Sequence, residues 1–104
     1  MGTHDNDVIA VEWDHQKNQA NIRKHGIDFD DAISIFDSDT METIDDRFEY
    51  GEERIVALGE MDGHILVVVY TQRDDVIRII SAREAERHER NDYYSALTGR
   101  SPDG

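Results

Sequence analysis

The sequence has no cysteine and only two lysines in 104 residues. Without cysteine, disulfides, thiolate zinc sites and thiol nucleophiles are excluded. No apolar run approaches the ~18–20 residues that a membrane span needs, and Met1–Ala10 shows no signal-peptide pattern. P-loop, GxGxxG, GxSxG and HExxH motifs are absent, and no two of the five histidines stand at metal-ligand spacing. Acidic pairs such as Asp30-Asp31, Asp45-Asp46 and Asp74-Asp75 read as solvated surface. Neither a metal nor a cofactor is therefore expected. With no repeat and no linker, the length fits one domain spanning 1–104, its ordered core running from about 9 to 97 between polar ends. The chain is expected in the cytoplasm, held together by its core alone.

What is abundant is carboxylate. The formal net charge is -13, which argues against binding nucleic acid, because phosphates are neutralised by Lys and Arg. The distribution softens that conclusion. Residues 1–62 carry 17 acidic and 5 basic side chains, whereas residues 63–104 carry 7 acidic and 6 basic ones, all of them Arg. Abundant carboxylates with scarce Lys suit a high-salt cytoplasm, where screening removes self-repulsion. On that reading the host is a halophile and the acidity reflects the solvent.

Hydropathy patterning gives the element order β-α-α-β-β-β-β-α. Ile9, Val11 and Trp13 alternate with Ala10 and Glu12 as a short strand. Asp14 caps a helix over His15–His25 that stops at Gly26, and Asp28 caps a second with Phe29, Ala32, Ile33 and Phe36 as its apolar stripe. Strands are expected over Thr40–Ile44, Arg54–Glu60, His64–Thr71 and Val76–Ala82, and a helix over Arg83–Leu97. The run Ile65–Tyr70 reads as a central strand covered on both faces. Met61-Asp62-Gly63 and Gln72–Asp75 form turns. Consecutive hairpins imply an antiparallel sheet with helices packed on it, an α+β fold.

Two clusters invite chemistry. On the first helix Lys17, Asn21, Lys24 and His25 line one side, which is either a solvated face or two ammonium groups holding a phosphate beside a titratable imidazole. Further on, Arg73 lies in a turn and Arg78 in a strand, while Arg83, Arg87, Arg90 and Tyr94 form a stripe on the last helix. These could grip phosphate oxygens, or pair with Glu84 and Glu86 as ordinary surface ions. Glu53 and Arg54 precede a strand, and a carboxylate there serves as a base or orients the arginine. Thr71 and Ser81 end strands with hydroxyls that contact phosphate or simply pair.

Together, these segments resemble a known family. Val11-Glu12-Trp13-Asp14, Lys17, Asn21, Arg23-Lys24-His25-Gly26 and Phe29–Phe36 look like the opening of BrnT-type toxins. Gly51-Glu52-Glu53-Arg54, Leu66–Thr71, Arg78-Ile79-Ile80-Ser81-Ala82-Arg83, and Glu86, Arg87, Glu89 and Tyr93 resemble the remainder, so that the likeness runs from about Ile9 to Tyr94.

The resemblance implies a RelE-like fold and the toxin half of a type II toxin–antitoxin pair. Such toxins inhibit growth by cutting RNA. It also implies neutralisation by BrnA, a ribbon-helix-helix antitoxin, in a hetero-oligomer that touches operator DNA only through that partner. The chemistry implied is metal-independent attack of a ribose 2′-OH on the adjacent phosphate. Such a reaction needs a base, cations and an acid. On this sequence His25 would transfer protons, and Lys24 and Arg54 would clamp the phosphate. Arg78 and Arg83 would steady the transition state, and Glu53 would orient Arg54 or share the base role. Thr71 and Arg73 would hold the backbone, Lys17 and Arg87 would bind RNA, and Tyr93 would be an acid, a stacking platform or core. The competing expectation is an inactive acidic module that binds a basic partner and acts as a co-repressor.

Overall fold

The structure, a computed structural model, describes residues 10–45 and 53–99. The expected strand start at Ile9 and the Gly51-Glu52 motif lie outside them. Strand β1 (Ala10–Trp13) leads into helix α1 (His15–His25). A short helix α2 (Phe29–Ala32) continues as a 3-10 turn over Ile33–Asp37. Strands β2 (Met41–Asp45), β3 (Arg54–Met61), β4 (His64–Arg73) and β5 (Val76–Glu84) follow, and helix α3 (Arg87–Thr98) closes the order.

The sheet runs β1-β5-β4-β3-β2. Strands β2 to β5 pair antiparallel as the hairpins imply, but β1 joins parallel to β5, with Glu12 opposite Arg78 and Trp13 opposite Ile79. The sheet is thus mixed and not purely antiparallel, because hairpin geometry governs only neighbours in sequence and β1 meets its partner across most of the chain. The second correction concerns the last helix. Arg83 and Glu84 remain in β5, opposite Val67 and Leu66. The helix starts only after Glu86, which forms a reciprocal capping box with Glu89. Arg83 therefore does not share a helical stripe with Arg87 and Arg90.

One face of the sheet carries the main core. Val11, Trp13, Ala57, Leu66, Val68, Tyr70, Ile77, Ile79 and Ala82 pack there against Phe29, Ala32 and Ile35. These last three, all fully buried, recur every third residue, and Ile35 lies in the 3-10 turn that takes over from α2 where the sequence predicts one continuous helix. The turn approaches β3 so closely that a Cβ on Gly59 would lie 2.7 Å from Ile35 Cβ. Trp13 meets Phe29, and Phe36 meets Tyr70, edge to face. On the second face α3 covers one end only, where Ala85 and Tyr93 pack on Leu58, Ile65 and Val67.

Helix α1 is held by amides instead of an apolar stripe. Where β1 ends, the outer edge of β5 is taken over by Asn21, whose side chain donates to Ala82 O (2.8 Å) and accepts from Ala82 N (3.2 Å). The same amide donates to Ile27 O at 2.9 Å. Asn18 accepts from Phe29 N and donates to Asp28, fixing the start of α2. Both asparagines are buried. Replacing Asn21 by Ala leaves the Ala82 amide and carbonyl without these partners, and each buried orphan costs about 1–3 kcal/mol. Asn21→Ala should therefore lower the unfolding free energy by roughly 2–4 kcal/mol, measured by urea denaturation.

Candidate functional site

Strand parity separates β4 cleanly. Leu66, Val68 and Tyr70 face the main core, so Val67, Val69 and Thr71 face the other way. On β5 the parity breaks once. Val69 pairs with Ser81 and Tyr70 with Ile79, leaving Ile80 as an extra residue. Ile77, Ile79 and Ala82 consequently all reach the core, and Arg78, Ser81 and Arg83 all point to the second face. In a regular strand Arg78 and Arg83, five residues apart, would stand on opposite faces.

The end of this face beyond α3 carries a charged row that crosses every strand. Arg78 pairs in register with Thr71 on one side and Glu12 on the other. Arg54 precedes Ile55, the partner of Tyr70, and so stands level with Thr71 from β3. Asp45 faces Arg54 from β2. The sequence across the sheet is Asp45, Arg54, Thr71, Arg78, Glu12. With strands about 4.8 Å apart, the two arginines flank Thr71 with Cα atoms roughly 10 Å from one another. Thr71 is buried and Arg54 half-buried, while Arg78 is exposed and bonds Glu12 Oε2 through Nη1 at 2.9 Å. Arg73, the last residue of β4 and not part of a turn, joins Glu12, Thr71, Asp74 and Arg78 around a groove of about 420 Å³.

Arg83 lies on the same face four residues along, level with Val67, about 13 Å from Thr71. Its guanidinium forms two parallel bonds with Glu89, at 2.9 and 2.8 Å. That hydrogen-bonded cation holds the Glu89 carboxyl down to about 2, against desolvation, with further help from the Glu86 backbone N–H. The pair ties the end of β5 to the first turn of α3.

The remaining expected residues are dispersed. Helix α1 runs beside β5 in the same direction, since Trp13 is level with Ile79 and Asn21 with Ala82. Lys24 and His25, one turn beyond Asn21, therefore stand toward the Arg83 end of β5, away from the Arg54–Thr71–Arg78 row. Both are exposed in the last turn of α1, where cations also complement the helix dipole. Lys17 is exposed in the first turn of α1, and Arg87 is exposed at the start of α3. Glu53 is exposed immediately before β3. Tyr93 is 2% exposed and donates to Asp39 O at 3.0 Å, a packing position. Burial, Glu60 and Asp39 push its hydroxyl pKa up. Sequence reasoning did not single out Glu12 as part of this site. Its outward direction is legible from the alternation with Val11 and Trp13, but its pairing with Arg78 is not.

The fold defines a small α+β protein whose second sheet face carries two arginines, a threonine and two carboxylates in one row. The family described as "Ribonuclease toxin, BrnT, of type II toxin-antitoxin system" matches residues 13–89, and the chain belongs to that family. Among solved structures it is similar to the Brucella abortus ribonuclease toxin BrnT, solved at 1.1 Å, with 32% identity and a TM-score of 0.58. The match covers 76% of this chain and 99% of that one. No curated protein matches the chain. Family membership carries ribonuclease activity at a general level and implies an antitoxin partner. No helix among the described residues is long and apolar enough to cross a membrane.

The Glu89–Arg83 pair carries a pH signature. A carboxyl held low in the folded state adds stability above its unfolded pKa, and that stability disappears as pH falls through the folded value of about 2. The pair should contribute about 1–3 kcal/mol after partial solvent screening. Glu89→Gln should lower the melting temperature at neutral pH and flatten its decline between about pH 5 and 2, as read by circular dichroism.

Proposed function

We propose that the chain is the toxin of a type II pair and acts as a metal-independent endoribonuclease of RelE-like type, neutralised by a BrnA-like ribbon-helix-helix antitoxin. The observation that carries this reading is the row in which Arg54 and Arg78 flank Thr71 on the sheet face opposite the main core. A scissile phosphate over Thr71 would accept from both guanidinium groups and from the hydroxyl. As the 2′-oxygen attacks, charge builds on the non-bridging oxygens, and two fixed cations stabilise that charge more than they stabilise the ground state. Arg73, on the rim, would hold an adjoining phosphate, and Arg83 would meet the strand farther along the same face.

Lys24 and His25 would carry RNA that continues past the end of β5, with Lys17 and Arg87 as further contacts at the periphery. His25 can transfer a proton only if the strand bends along that edge. Glu53, beside Arg54, would orient that arginine or share the base role.

One feature favours the second reading, an acidic module that binds a basic partner and acts as a co-repressor. Arg78 and Arg83 each already carry a carboxylate partner, and the net charge is -13. The two readings separate in one experiment. Expressed without an antitoxin, the wild-type chain should arrest growth and degrade RNA, and the purified protein should cleave RNA in EDTA. Arg78→Ala should reduce cleavage about 10²–10³-fold, the usual effect of losing one transition-state donor, with an unchanged circular dichroism spectrum. No arrest and no cleavage at low or molar salt would favour the binding module.

A further inference from the structure

Glu12 occupies a place that a surface built only for RNA affinity would leave to a neutral or basic residue. Strand β1 contributes few side chains to the open face, because Val11 and Trp13 turn into the core. Glu12 stands at the end of the row, and its carboxylate contacts the arginine beside Thr71. Next to a polyanion it repels, so its contribution to ground-state binding is unfavourable. In a cleaving site, a carboxylate one hydrogen bond from the phosphate-holding cation has a clear use.

We propose that Glu12 is the general base of the reaction, a deduction that rests on the ribonuclease reading above. With Arg78 Nη1 bonded to Glu12, a phosphate held by the other N–H groups of the guanidinium would have the carboxylate beside the ribose of its scissile bond. The O2′–H bond breaks and its proton passes to Glu12. The O2′–P bond forms, the P–O5′ bond breaks, and O5′ takes a proton from water. The products are a 2′,3′-cyclic phosphate and a free 5′-hydroxyl, and Glu12 returns its proton to solvent.

The alternative bases fit less well. His25 and Glu53 both stand outside the row. Asp45 ends the row at the β2 side, but it borders the groove of Val56, Val67, Arg83 and Glu89, not the one that holds Thr71, Arg73 and Arg78. Among the described residues, the ionisable groups around Glu12 are Arg78, Arg73 and Asp74 in its groove, together with Asp14, itself within the field of Arg78.

The test is single-turnover and steady-state cleavage of a short RNA by the full chain across pH, with Glu12→Gln, Glu12→Asp and Asp45→Asn as variants. Glu12→Gln should lower kcat about 10²–10⁴-fold, the range for a lost general base. Its KM should be equal or lower, because a repulsive charge is gone, and the acidic limb of the kcat profile should vanish. Glu12→Asp should keep that limb with a reduced rate, and it also serves if the Gln variant fails to fold. Asp45→Asn should retain the limb. The proposal is overturned if Glu12→Gln keeps kcat within threefold, if its loss lies in KM alone, or if Asp45→Asn is the variant that removes the limb. A wild-type chain that cleaves no RNA at any salt would instead remove the ribonuclease reading, and this assignment with it.

Discussion

One extra residue in β5 decides which face each arginine occupies. Strand geometry sends alternate side chains to opposite faces, so Arg78 and Arg83 could not share a surface in a regular strand. Because Ile80 stands unpaired between the Val69–Ser81 and Tyr70–Ile79 pairs, both arginines reach the open face while Ile79 and Ala82 stay in the core. A bulge next to a reactive surface commonly re-aims side chains in this way. Here it lets one strand supply the main core on one face and both Arg78 and Arg83 on the other.

The described helices pack away from the row. The α2 segment and its 3-10 continuation seal the opposite side through Phe29, Ala32 and Ile35, while α3 covers only the end near Leu58 and Ile65. Helix α1 does not lie over the open face either, because Asn21 binds the Ala82 edge of β5 in the position a further strand would take. The polarity of α1 therefore has a structural reason. Its anchoring groups are amides that complete backbone hydrogen bonds, and its cations remain at the surface. The carboxylates on the row act in both directions. They fix guanidinium orientation, and they temper the attraction of an arginine cluster for any polyanion, the more so when salt is low.

Local elements were legible in the sequence because their causes are local. Asp14 and Asp28 cap helices as their positions indicate, and Gly26 ends α1 with φ 75. The apolar run of β4 is the middle strand of five. What stayed hidden depends on contacts distant in sequence. The parallel docking of β1, the persistence of β5 through Glu84 and the spare residue at Ile80 each follow from partners chosen by the whole sheet. The candidate site divides in the same way. Arg54, Thr71 and Arg78 were identifiable by residue type and stand side by side in the sheet register, and Arg73 shares a groove with Thr71 and Arg78. Lys24 and His25 follow one turn after Asn21, but only Asn21 binds the edge of β5, and the two cations stay exposed away from the row. Glu12 was seen as an alternating strand residue, and only the register with Arg78 brings it into the site.

The central claim is that the open face across β3, β4, β5 and β1 is where RNA lies. Backbone amide shift mapping of the isotope-labelled chain, titrated with a short RNA blocked by 2′-O-methylation, tests it most directly. Perturbations centred on Arg54, Thr71, Arg78 and Glu12 and fading toward α2 are predicted. Shifts concentrated on α1 and α2, with that row unmoved, would contradict the account.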